Sequence, residues 1–122
     1  AEALNKAAAR FEKAYAAAAA VNAPASALAR ANAILREGDQ VMLLPEGLPK
    51  RPWYRHSLYA PGYYTGYGVK TMPGVREAIE QKDWKQADVE ITRVAGALIR
   101  ESELVSRAAE VLERIGSVRP VP

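Results

Sequence analysis

Cysteine is absent from the 122 residues, so disulfide frameworks and thiolate metal sites are excluded. Histidine occurs once, as His56, and a lone imidazole cannot build a histidine zinc site, which needs several such ligands. No run approaches the roughly eighteen strongly apolar residues of a membrane span. Ala14 to Val21 is apolar only in the weak sense that alanine is. No signal-peptide pattern is seen. A glycine-rich phosphate loop is missing too: GYYTGYG follows a proline turn rather than a strand. Neither Ser57 nor Thr65 has a recognisable base partner. The carboxylate pairs Glu77/Glu80 and Glu101/Glu103 read as solvated helix positions. No catalytic constellation emerges, and the expectation is no catalytic residue, metal ligand or cofactor within this chain.

Seventeen Lys and Arg against fourteen Asp and Glu give a net charge of +3 and a pI near 9.3. The two signs are interspersed, which describes a solvated mixed face better than a nucleic-acid stripe. Much of the 49% apolar content is alanine, which permits close helix approach but supplies little area. The core therefore reads as thin for a free-standing monomer, and a further packing surface is expected. The chain opens on AEALNKAAARFEKAY, already in helical register and without methionine, and reads as a piece of a longer polypeptide.

Helical spacing predicts a first helix over 1–21, with Leu4, Ala8, Phe11, Tyr15 and Ala18 on one face. Asn22-Ala-Pro24 breaks it, and a second helix runs from Pro24 in its first turn to about Leu43, with Leu28, Ala31, Leu35 and Met42 inward. From Leu44 to Pro73 prolines and glycines leave one irregular loop, with no second strand available to form a sheet. A short helix is expected near Met72, capped by Thr71, with Val75, Ala78 and Ile79 inward. Asp83-Trp-Lys-Gln86 reads as a capping box for a last helix reaching Ile115. Its stripe is Trp84, Ala87, Ile91, Val94, Leu98, Val105 and Leu112, with Trp84 as a core anchor; Gly116 ends it and the remaining residues form a tail. The expected fold class is all-α: a helical bundle of three long helices and one short helix with a long irregular loop at about 44–73.

The loop segment RPWYRHSLYAPGYYTGYG (Arg51–Gly68) holds Trp53, His56 and five of the six tyrosines. Two readings are open. Lys50, Arg51, Arg55 and the tyrosines would suit single-stranded nucleic acid, with bases stacked on rings and cations tracking phosphates. Alternatively the aromatics dock another protein domain, where Tyr and Trp bury large areas and keep a polar handle. The proline density, which fixes the path of the chain, favours docking.

GLPKRPWYRHSLYAP (Gly47–Pro61), followed by Tyr67 and by Met72-Pro73-Gly74-Val75, resembles the C-terminal dimerisation domain shared by transferrin receptors and glutamate carboxypeptidase II-like zinc peptidases. The family pattern is GLP-x-RPFYRH-x-x-YAP, then a K-Y pair, then S-F-P-G-I, and the resemblance covers nearly all of residues 1–122. It implies a domain that follows a zinc-binding peptidase domain in its parent, pairs with a second copy through its helices, and turns its long loop toward the peptidase domain. Arg51, Trp53, Tyr54, Arg55, His56 and Tyr59 are then the domain-docking residues. Zinc belongs to the parent's peptidase domain, and the parent is a periplasmic or extracellular carboxypeptidase, whereas this piece alone hydrolyses nothing. In the carboxypeptidases the K-Y pair lies in the pocket for a C-terminal glutamate. Ungapped alignment places Tyr67 on the tyrosine, as a substrate-binding residue, and Gly66 on the lysine; Lys70 substitutes only if the loop takes another path. A peptide with an acidic C-terminal residue is the implied substrate, with altered or relaxed preference. The alternatives are the dimerisation domain of a non-enzymatic receptor-like homologue and a nucleic-acid-binding helical module.

Overall fold

The computed structural model describes residues 1–117. Among them the order of elements is α1 (Glu2–Ala20), α2 (Ala25–Leu35), α3 (Gly38–Val41), β1 (Tyr59–Pro61), β2 (Val69–Thr71), α4 (Pro73–Glu80) and α5 (Trp84–Gly116). The chain divides into two compact units, 1–38 with residues from 99 onward, and 39–98.

In the first unit, α1 ends because Asn22 takes a left-handed conformation, φ 51°. The Asn22 and Ala23 amides then donate to the carbonyls of Ala19 and Ala18 at 3.1 and 3.0 Å, closing the helix with two bonds that its last turn otherwise lacks. Pro24 stands as the cap of α2 rather than inside its first turn. Expectation and structure differ over which face of α1 is buried. Ala7, Ala14 and Ala18 are buried with Leu4 and Phe11 partly so, a 4-7-11-14-18 stripe, while Ala8 and Tyr15 are exposed. Both stripes keep helical spacing. The smaller side chains take the inside, where Ala14, Ala18, Ala31, Ala109 and Leu112 form the core, with Phe11 and Leu28 packed against it. On the surface of this unit Arg10 grips Glu113 with both Nε and Nη2, at 2.8 and 2.7 Å.

The expected second helix is not continuous. The α2 ladder ends in a tightened turn, with Glu37 N donating to Ile34 O at 3.0 Å, and only the four residues of α3 follow it. Glycine at position 38 disfavours continuation through this point, and an added Cβ there would press to 3.3 Å from a Glu101 carboxylate oxygen.

The second unit corrects the all-α expectation. β1 and β2 pair antiparallel, with Tyr59 opposite Thr71, Ala60 opposite Lys70 and Pro61 opposite Val69. Ala60 and Lys70 are the buried positions, and Ala60 joins Leu44 and Leu48 in a small core. Proline is tolerated here because it ends a three-residue strand of a two-stranded sheet. Thr71 therefore lies in β2 and does not cap α4. The cap position is Met72, φ 46°, without a side-chain cap. Asp83 does cap α5, accepting from Gln86 N at 3.0 Å. The reciprocal half of the box is not formed: the Gln86 side chain turns to Glu90 instead, at 2.8 Å.

Trp84 is 63% exposed and is no core anchor. In this part of α5 the buried positions are Ala87, Glu90, Val94 and Ala97, so Glu90 takes the inward place expected of Ile91, which is exposed. Glu90 can be buried because Gln86 and Arg93 supply donors to its carboxylate. Further along, Leu112 is buried, and α5 reaches Gly116, where the glycine signal put its end. The tail expectation beyond 117 lies outside the described residues.

The Arg10–Glu113 pair gives a pH signature. The hydrogen bond from Arg10 holds the Glu113 carboxyl below the usual glutamate range. Its stabilising contribution is present above the unfolded glutamate pKa, about 4.3, and is lost as pH falls through the depressed folded value. Chemical denaturation of Arg10→Gln should show a stability deficit at neutral pH that shrinks toward zero in acid; a pH-independent deficit would show that the pair contributes nothing through its charge.

Candidate functional site

The aromatic loop is held from beneath by backbone bonds. Leu44 N donates to Arg55 O at 2.7 Å, Leu48 N to Tyr54 O at 2.8 Å, and Ser57 N to Met42 O at 3.1 Å. Residues 42–48 and 51–57 thus lie against each other, with Leu44 and Leu48 buried below. Gly47 sits at φ 72°, and any Cβ there would fall 2.2 Å from the Pro52 carbonyl oxygen, so the GLP turn requires glycine.

On this base the six candidate docking residues separate into two groups. Trp53 is 70% exposed, and Tyr54 and Tyr59 also present their rings to solvent. Arg51, Arg55 and His56 are engaged within the loop. Arg51 is 2% exposed and its Nη1 donates to Glu77 Oε2 at 2.7 Å. Arg55 Nε donates to the Leu44 carbonyl at 3.3 Å. His56 accepts from Leu58 N at Nδ1, 3.2 Å, which leaves the ring proton of a neutral imidazole on Nε2, 3.8 Å from Asp39 Oδ1. Its ring stacks on Tyr59 at 4.0 Å.

Tyr67 is fully exposed, at 101%, in the turn between the strands. Gly66 beside it is left-handed, φ 69°, with open space around it. Lys70 does not take the lysine's place. It points inward from β2, bonded to Glu80 Oε2 and 3.9 Å from Glu77 Oε1. The hydrogen bond from Lys70 is the main reason that the Glu80 carboxyl lies below its usual range.

Glu77 holds the loop to α4, a role that its charge alone does not reveal in the sequence. Its spacing from Glu80 reads as a solvated carboxylate pair, yet its side chain is only 13% exposed. Besides Arg51 it accepts from Tyr63 N at 2.7 Å. The available signal is its position: on α4, Glu77 lies one helical turn beyond Pro73 and Gly74, both buried.

These features sit in a chain whose residues 1–106 match the model of the transferrin receptor-like dimerisation domain. The chain belongs to this family. Two relatives are each named as a probable glutamate carboxypeptidase. That of Arabidopsis thaliana is 40% identical over 67 residues, 49% of this chain and 10% of the relative. That of Arthroderma benhamiae is 37% identical over 75 residues, 62% of this chain and 10% of the relative. This dimerisation domain thus corresponds to about a tenth of the length of these relatives. No helix among its described residues is long and apolar enough to cross a membrane.

The loop's inner and outer residues should respond differently to truncation. Leu48→Ala should cost about 2–5 kcal/mol in urea unfolding of the chain, whereas Trp53→Ala should stay within about 0.5 kcal/mol. Equal losses would mean that Trp53 packs inside the domain rather than outward.

Proposed function

We propose that this chain pairs subunits of a glutamate carboxypeptidase-like zinc metallopeptidase and braces the substrate pocket of a peptidase domain outside this sequence. The observation that carries the reading is a firmly seated loop with its aromatic rings turned outward. Trp53, Tyr54 and Tyr59 are exposed over a bonded backbone with Leu44, Leu48 and Ala60 buried below, and Tyr67 is exposed in the hairpin turn. Exposed rings on an ordered base suit docking to a shaped neighbour, since little entropy is lost when they are covered. The names of the relatives support the peptidase setting. Zinc is assigned to the peptidase domain. Among the described residues no three His, Asp or Glu side chains converge as ligands.

In this reading Arg51 and His56 shape the docking surface from within, and Trp53, Tyr54, Tyr59 and the exposed Arg55 meet the neighbour. Tyr67 reaches the substrate and donates its hydroxyl proton to a carboxylate oxygen. Gly66 carries no charge and Lys70 is engaged by Glu80, so neither supplies a cation to Tyr67. A relaxed preference between acidic and neutral C-terminal residues follows.

The full-length protein and its Tyr67→Phe variant test this together. Both should sediment as dimers, and the variant should raise KM for peptides while leaving the dimer intact. A monomer at high concentration would remove the pairing role, and an unchanged KM on acidic and neutral substrates would remove Tyr67 from the pocket.

A further inference from the structure

The second unit contains a cavity of about 230 Å³ whose lining includes Lys50, Arg51, Tyr63, Tyr64, Glu77 and Gln86. Its chemistry is dominated by Arg51. Only one edge of that guanidinium is used, Nη1 donating to Glu77. Nε and Nη2 are buried and have no hydrogen-bond partner among the described residues. A buried charged donor left unpaired costs more than a hydrogen bond returns, so such a group calls for an acceptor.

The two idle donors are not an arbitrary pair. Nε and Nη2 form one side of the planar guanidinium fork, with parallel N–H bonds matched to the two oxygens of a carboxylate. The same protein shows that edge at work: Arg10 Nε and Nη2 hold Glu113 Oε1 and Oε2 at 2.8 and 2.7 Å. Arg51 presents the same fork unfilled.

Lys50, Tyr63 and Tyr64 line the same cavity. Lys50 has no carboxylate partner among the described residues, and its Nζ lies 5.5 Å from the centre of the Tyr63 ring. The Arg51 guanidinium lies 5.7 Å from that centre. Lys50 and Arg51 share the lining with Glu77 and Asp83, so its charges balance and the choice of ligand rests on the geometry of the fork. Tyr63 is part-exposed and stands edge-on to Tyr64 at 4.9 Å; because Nε and Nη2 are buried, a ligand reaches them only if a lining side chain such as this ring turns aside.

We propose that the Arg51 cavity is a carboxylate-binding site in which Nε and Nη2 take both oxygens of one carboxylate. The carboxylate comes either from a free small acid or from an Asp or Glu side chain of a segment outside this chain. The site is separate from Tyr67 and does not depend on the peptidase reading.

The test is a nitrogen-15 NMR titration of the unaltered chain with acetate and with glutarate, against chloride at constant ionic strength. Arg51 Nε–H, assigned through its own backbone, should shift saturably with a dissociation constant in the millimolar range, together with the Tyr63 amide. Arg10 Nε–H, already filled by Glu113, should stay still. An Arg51 resonance that does not move, or moves equally in chloride, overturns the proposal. The measurement needs no variant, so it does not depend on whether Arg51→Gln folds. Repeating it on the full-length protein separates the sources. Continued response to acetate identifies a free acid, and a resonance already at the bound position and insensitive to acetate identifies a side chain of the parent.

Discussion

One carboxylate organises the second unit. Glu77 accepts from Arg51 Nη1 and from Tyr63 N, both at 2.7 Å, and stands 3.9 Å from Lys70 Nζ. These partners come from three separate stretches of a region rich in proline and glycine: the turn before the hairpin, the turn within it and the second strand. Burying the charges is costly, and the cost is recovered only while all of them face one another. That condition makes the loop a single structure rather than a set of independent turns. It ties the loop to α4, where Glu80 holds Lys70 more closely still.

The first unit depends on small side chains instead. Alanine dominates its core, so the apolar area available is limited, and at about 25 cal/mol per Å² such a core contributes less than one built from leucine. Leu104 and Leu112, with the partly buried Phe11 and Leu28, supply much of the remaining bulk. A unit of this kind gains from any additional apolar surface laid against it, which suits the family's description as a dimerisation domain.

Much of this was legible in the sequence. Helical spacing located α1, α4 and α5, Asp83 was readable as a cap, and the Gly47–Pro61 motif carried the family. What escaped had physical causes. The hairpin has strands of three residues each, too short for alternation to register, and its second strand alternates around a lysine. The faces of α1 and α5 were shifted to neighbouring positions because spacing does not distinguish adjacent stripes of equal period. In α1 alanines displaced Tyr15, and in α5 a bonded Glu90 displaced Ile91. Glu77 and Arg51 escaped because the rule that charge faces water fails where opposite charges meet inside.

The most direct test is Glu77→Gln, which keeps the shape but cannot accept from Arg51 and Tyr63 through two equivalent oxygens. The account predicts a loss of about 3–5 kcal/mol in denaturant unfolding, with the Tyr63 amide losing its protection from hydrogen exchange. Unchanged stability with Tyr63 still protected would contradict the claim that this carboxylate holds the loop together.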